Sequence, residues 1–397
     1  MRVTQMMLSQ SSLRYINQGY ERLGTIQDQM NSGKKITRPS QDPVVAMKGM
    51  RYRTQVTEIE QFKRNLGEAF NWMDTAESAL DQGTESLKRI RELATQAAND
   101  TNNTGERGNI AKEVQQLREH LQSIANTKNS NKFIFNGTDT TNPPVIDIEK
   151  MNVSLESLFD GTNDPISIEL IYDGKVFKQV HADNGNLIYQ DASQTSPVHG
   201  DVDFDETAIQ LIVGENGSKV SFHEPNRAYD ENDTASKTVI KKELRTNDVV
   251  ATNKDAVSIN TQTVEIELLK GVSIPVNVNP GNVFNNALFG DIIRLEQALQ
   301  DPTVKGEDLT AYIDNMYGHI DQFVAERAEL GARINRAEMM ENRLMEQEVS
   351  AKRIMSNNED ADLEKVIIDL TIQESIHRLA LATGARIIQP SLMDFLR

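Results

Sequence analysis

The sequence predicts a mainly α-helical protein with an inserted β domain. A long antiparallel coiled-coil-like helical rod is built from both chain ends, with a β-rich domain outside it. Three observations predict this. Apolar residues recur at alternating three-and-four spacing towards both ends of the 397-residue chain. The middle holds β-branched, partly alternating runs. Glycine and proline stand where one pattern gives way to the next.

The first helix carries Leu13, Ile16, Tyr20, Leu23 and Met30 on one stripe. It should stop in the run Asn31 to Pro43, where Gly33, Pro39 and Pro43 forbid continuation. Asp42 is placed to cap the next helix and Pro43 to begin it. That second helix is expected from about Val44 to Asn99, with Phe62, Leu66, Ala69, Met73, Leu80, Leu87 and Ile90 on its stripe. After a polar loop spanning 99–108, Ile110, Val114, Leu117, Leu121 and Ile124 mark a third helix, folded back antiparallel on the second. The segment Lys132–Thr141 reads as a strand and turn before Pro143 and Pro144.

Between 143 and 285, hairpin signals fall at Asp173-Gly174, Asn216-Gly217 and Lys270-Gly271. This stretch holds 23 Asp and Glu against 11 Lys and Arg, so −12 of the formal net charge of −17 lies there. It reads as an exposed, self-contained β module. Helix returns at Asn285–Gln300 and then in a very long segment from Leu309 to Met355, whose stripe is interrupted by Arg327, Glu341 and Glu348. Those charges are either register-setting pairs or solvated edge residues. The closing helix, about Asp362 to Thr383, is apolar nearly all round. Its Val366, Ile367, Leu370, Ile376, Leu379 and Leu381 call for more cover than one partner helix provides. The implied domains are 1–43 with 356–397, 44–142 with 286–355, and 143–285.

Composition excludes several functions. The chain has no cysteine, hence no disulfide framework, thiolate nucleophile or Cys-ligated metal. Its acidity argues against nucleic acid as a partner. No run of 18 apolar residues suggests a membrane span, and the opening residues lack the apolar core of a secretory signal. There is no Walker loop, GxGxxG or GxSxG, and no cofactor is expected. Asp201, Asp203, Asp205 and Glu206 begin like a calcium loop, but its sixth and twelfth positions hold Glu206 and Ile212. They read as a solvated acidic loop. The six histidines stand singly and are expected on surfaces or helix faces, and Trp72 is expected to pack beside Met73.

The two ends carry a resemblance. The opening MRVTQMML, the loop SGKKITRPSQDPVVA at 32–46, FIFNGT at 133–138 and the closing IIQPSLMDFLR resemble the flagellin superfamily of bacterial flagellar subunits. Within it, the RPSQDP form and the Met-Arg-Val-Thr opening are more similar to the hook-associated subunits at the hook-to-filament junction than to flagellin. The resemblance implies a non-enzymatic subunit whose terminal helices form an inner tube with neighbouring copies of itself in a ring. Leu13, Ile16, Tyr20, Leu23 and Met30, with the six closing-helix residues named above, would line that interface. Gly33, Arg38, Pro39, Asp42 and Pro43 would form an elbow. The implied partners are the preceding hook-associated protein, flagellin and a flagellar export chaperone, with export through the flagellum's own channel. A flagellin filament subunit is the alternative within the class. A helical pore-forming toxin is the remoter one, which the acidic insert disfavours.

Overall fold

The computed structural model describes residues 5–99, 104–145, 149–183, 185–193, 208–224 and 240–388. Its helices are α1 Gln5–Ser32, α2 Pro43–Ala97, α3 Thr104–Ala125, α4 Pro280–Val283, α5 Asn286–Gln300, α6 Thr310–Glu359 and α7 Leu363–Ile388. Its strands are β1 Lys128–Asn129, β2 Lys132–Phe133, β3 Ile168–Tyr172, β4 Lys175–Asp183, β5 Asn186–Asp191 and β6 Gln210–Gly214. They continue as β7 Lys219–Glu224, β8 Ile240–Leu244, β9 Val250–Asn253, β10 Glu265–Leu269 and β11 Val272–Pro275. The fold class is therefore mainly α with an antiparallel β insert. The chain forms two compact units, 1–64 with 340–397 and 65–339. The boundaries fall inside α2 and α6, where no turn residue marks them.

In the unit of residues 65–339 the expected α2 stripe is the core. Leu66, Met73, Leu80, Leu87 and Ile90 are buried, as are Met316, Ile320, Phe323 and Leu330 of α6. The two helices run antiparallel: the Arg91 guanidinium lies over the Tyr317 ring at 4.4 Å, and Arg327 pairs with Asp81 at 2.7 Å. Arg327 thus marks register, at a half-exposed site where such a pair contributes up to about 1 kcal/mol. Arg89 reaches Glu113 at 2.8 Å, joining α2 to α3 as the hairpin reading requires. However, α3 begins at Thr104 rather than near Ile110, because the Gly-Glu-Arg-Gly expected as loop forms its first turn.

Residues 132–141 depart from the strand expectation. Only Lys132 and Phe133 pair, with β1, across Ser130 and Asn131 at positive φ. The chain beyond them forms a buried plug: Phe135 stacks edge-on against Phe284 at 5.0 Å, and Phe284 against Phe323 at 5.3 Å. Each aromatic pair is worth about 0.5–1.5 kcal/mol beyond its burial. Gly137, at φ +55°, leaves no room for a Cβ, which would sit 2.4 Å from the Gln262 carbonyl oxygen.

The seven-stranded sheet has the order β8-β7-β6-β5-β4-β3-β9, antiparallel throughout. The three expected turns are all present, with Asp173, Gly174, Asn216, Gly217 and Gly271 at positive φ. Strand β5 follows Asn184-Gly185, a hairpin dipeptide that the expectation passed over, with Gly185 at positive φ, whereas β8 and β9 carry no such signal. One face of the sheet closes over Leu170, Phe177, Tyr189, Leu211 and Val220. On α5, Gly290 faces Ile171 so closely that a Cβ would lie 2.3 Å from its Cδ1. Because α5 also contacts α3 through the buried pair Arg118–Glu296 at 2.7 Å, the sheet is not closed off at residue 285. Helix α5 is thus shared by the sheet and the helices.

Of the histidines expected on surfaces or helix faces, His319 lies on the inward face of α6. His319 is buried, its Nε2 2.9 Å from Asp291, whose other oxygen accepts from Arg294 at 2.9 Å and from the Gly174 amide at 3.3 Å. Arg294 in turn lies between the Tyr172 and Tyr312 rings. This joint links the first hairpin turn to α5 and α6. Nothing in a one-dimensional pattern shows it, since its members lie 117 and 28 residues apart. The acidic run Asp201 to Glu206, His199, residues 100–103 and the closing residues 389–397 lie outside the described residues.

Candidate assembly surface and elbow

The unit formed by 1–64 and 340–397 brings the chain ends together. Helices α1 and α7 pack antiparallel, and two glycines set their approach: a Cβ on Gly19 would meet His377 Nδ1 at 3.3 Å, and one on Gly384 would meet Ile16 Cδ1 at 3.2 Å. Val366 is buried in this seam, and Ile16, Leu23 and Leu370 are half-buried. His377 is also buried there, its ring 4.1 Å from that of Tyr20 and neither nitrogen hydrogen-bonded among the described residues. It lies on a helix face, as expected, and that face is turned to α1.

The remaining interface candidates face outward. Leu379 is 67 % exposed, Ile367 53 % and Ile376 51 %, with Leu381, Tyr20, Leu13 and Met30 also exposed. Sequence reasoning left out Leu363, Ile368 and Ile372 as interface residues, and these are exposed on α7 too. Their signal was present in the same all-round apolar pattern. The physical situation is plain: one partner helix covers one side of α7, and isoleucines and leucines remain in water on the others. Covering an aliphatic side chain of this size is worth about 1.5–3 kcal/mol, so covering three offers roughly 5–9 kcal/mol before ordering costs.

Gly33 ends α1 at φ +67°, its amide bonded to Gln29 O at 2.8 Å. Asp42 Oδ1 accepts from the Val44 and Val45 amides at 2.9 and 3.1 Å, capping α2 ahead of Pro43. Arg38 and Pro39 lie exposed between them. The sequence reading missed what holds this loop. The loop is fastened to the α6–α7 turn: Lys35 N donates to Glu359 O at 2.7 Å, and Ala361 N to Gly33 O at 2.8 Å. Lys34 pairs with Asp360 at 2.7 Å. Arg53 grips Glu359 with both arms, at 2.8 and 2.7 Å, and the fork-to-fork geometry fixes direction as well as distance. Gly49 lies where a Cβ would come within 2.6 Å of Glu359 Oε1. The hydrogen bond and charge of Lys34 hold the Asp360 carboxyl below the usual carboxylate range. Further along, Lys352 and Lys63 hold Glu348 at about 2.

No group of metal-ligating side chains occurs among the described residues, and no described helix is long and apolar enough to cross a membrane. Paired chain ends, an unpartnered apolar surface and a clamped elbow define a class of protein: a helical subunit suited to packing against other chains.

Comparison with known proteins narrows the class. Residues 3–140 match the model of the bacterial flagellin N-terminal helical region. Over that stretch the chain is similar to bacterial flagellins. It is 31% identical over 125 residues to a flagellin of Clostridium tyrobutyricum, covering 32% of this chain and 33% of that one. To the flagellar hook-associated protein 3 of Escherichia coli it is 28% identical over 145 residues, covering 36% and 46%. The chain thus spans less than half the length of these two curated relatives. Among solved structures, a putative flagellar hook-associated protein from Vibrio parahaemolyticus aligns with a TM-score of 0.48 at 14% identity, over 81% of this chain and 100% of that one.

Proposed function

We propose that this protein is a non-catalytic adapter at the hook-to-filament junction of a bacterial flagellum, joining the preceding hook-associated protein to flagellin within a ring of its own copies. The observation that carries the reading is the exposed isoleucine and leucine surface of α7 beside α1, which needs protein partners to leave water. The RPSQDP elbow and the likeness to hook-associated protein 3 favour the junction over the filament. The reading includes export through the flagellar channel with a dedicated chaperone, and no cofactor. It also includes a three-part organisation, with 1–43 and 356–397 innermost, 44–142 and 286–355 next, and 143–285 outermost.

A filament subunit is the second reading, because the flagellin of Clostridium tyrobutyricum matches at 31% identity against 28% for the hook-associated protein. Deleting the gene should leave hooks intact, stop filament attachment and shed flagellin into the medium. Immunogold should mark one band per flagellum. Normal filaments in the deletion strain would refute the junction assignment, and label along the whole filament would favour the second reading.

A further inference from the structure

The elbow also holds a pocket, beside the clamp and sharing its residues. It lies between the loop and the first turns of α2 and measures about 250 Å³. Its wall is apolar at Ile36, Pro39, Val45 and Met50, cationic at Lys34, Arg38 and Arg53, and acidic at Glu359. The charges there are not balanced. Arg53 and Lys34 are matched by Glu359 and Asp360, whereas Arg38 has no ion-pair partner among the described residues. A fitting occupant carries one carboxylate flanked by large apolar side chains.

The chain itself supplies such a segment after α7: Leu392, Met393, Asp394, Phe395 and Leu396. It cannot come from the same copy. The elbow sits at the N-terminal end of α7, and the 26 residues of that helix extend about 39 Å at 1.5 Å per residue. From Ile388 to Leu396 is eight residues, which fully extended reach about 27 Å.

We propose that the elbow pocket receives residues 392–396 of a second copy, with Asp394 paired to Arg38 and Phe395 or its apolar neighbours against Ile36, Val45 and Met50. This rests on the self-packing part of the proposed function and gives it a direction, tail to elbow. Such a contact is heterologous, so it builds a ring or a stack rather than a two-fold dimer.

The test uses the purified full chain, diluted to the monomer, and a labelled peptide of residues 386–397 followed by fluorescence anisotropy. Saturable binding is expected, weakened roughly tenfold or more by Arg38→Glu. Arg38 is exposed, so that variant should fold, which circular dichroism checks. A peptide bearing Asp394→Arg should lose binding to the natural chain and recover it on the Arg38→Glu variant. No saturable binding, binding indifferent to Arg38→Glu, or failure of the charge swap to restore it would each overturn the proposal, the latter two placing the tail on another surface. The measurement involves no flagellum, so its failure leaves the junction reading standing. A failed junction localisation, in turn, leaves the peptide result unaffected.

Discussion

Glycines on α2 show how much one residue's surroundings decide. In an exposed helix interior, replacing glycine by alanine stabilises by up to about 1 kcal/mol through backbone entropy. Gly67 has open space where a Cβ would go, so Gly67→Ala should raise the melting temperature. Gly83 faces the buried Phe323 ring, with a Cβ 2.6 Å from its Cε1, and that ring is wedged edge-on against Phe284. Gly83→Ala should therefore lower the melting temperature, since overpacking costs typically about 1–3 kcal/mol. Calorimetry of the two variants checks both signs; equal shifts would show that the Phe323 packing is softer than described. From the sequence the two glycines are indistinguishable, each a lone Gly within a helical pattern.

At the scale of elements, the clamp between the elbow and the α6–α7 turn sets a pH window. Asp360 titrates below its ordinary value because of Lys34, so its contribution is present above about pH 4 and is lost as pH falls through its lowered folded value. Lys34 titrates above its ordinary value, chiefly through its hydrogen bond to Asp360, so its contribution holds up to about pH 10.5 and disappears above that. Glu348, held at about 2, keeps its links to Lys63 and Lys352 further into acid. Amide exchange at Lys35 and Ala361 should therefore accelerate, relative to its intrinsic rate, below about pH 4, while residues around Lys63 stay protected down to about pH 2. A uniform loss at one pH would mean that the clamp does not open on its own. Local signals made half of this element legible. Gly33, Asp42 and Pro43 act through their own φ angles and amides, whereas Arg53 meets Glu359 306 residues away.

For the whole molecule, the question is which apolar residues stabilise the free subunit and which await partners. Val366 is buried in the seam with α1, while Leu379 is 67 % exposed. Val366→Asp places a charge in that seam at several kcal/mol if unpaired, and should loosen α1 from α7 in the monomer. Leu379→Asp should leave monomer proteolysis and melting unchanged yet abolish junction assembly in a motility assay. A large fall in monomer stability with Leu379→Asp would show that α7 is already packed on every side. The reading of α7 as too apolar for one partner rested only on the absence of a polar face, which any helical projection shows. Which residues the single partner covers could not be read that way, because it depends on Gly19 and Gly384 meeting side chains across the seam.

The sequence alone determined the helices, their stops, the hairpin turns and the two-ended pattern of apolar stripes. These features act within a few residues, through fixed proline φ, glycine freedom, caps and periodicity. Tertiary structure decided the return of β9 to the edge beside β3, the sharing of α5 between sheet and helices, the buried Asp291, Arg294 and His319 joint, and the Glu359 clamp. Each of these joins residues far apart in the chain. A buried charge or a strand edge must find a partner somewhere, but no local rule names the distant residue that provides it.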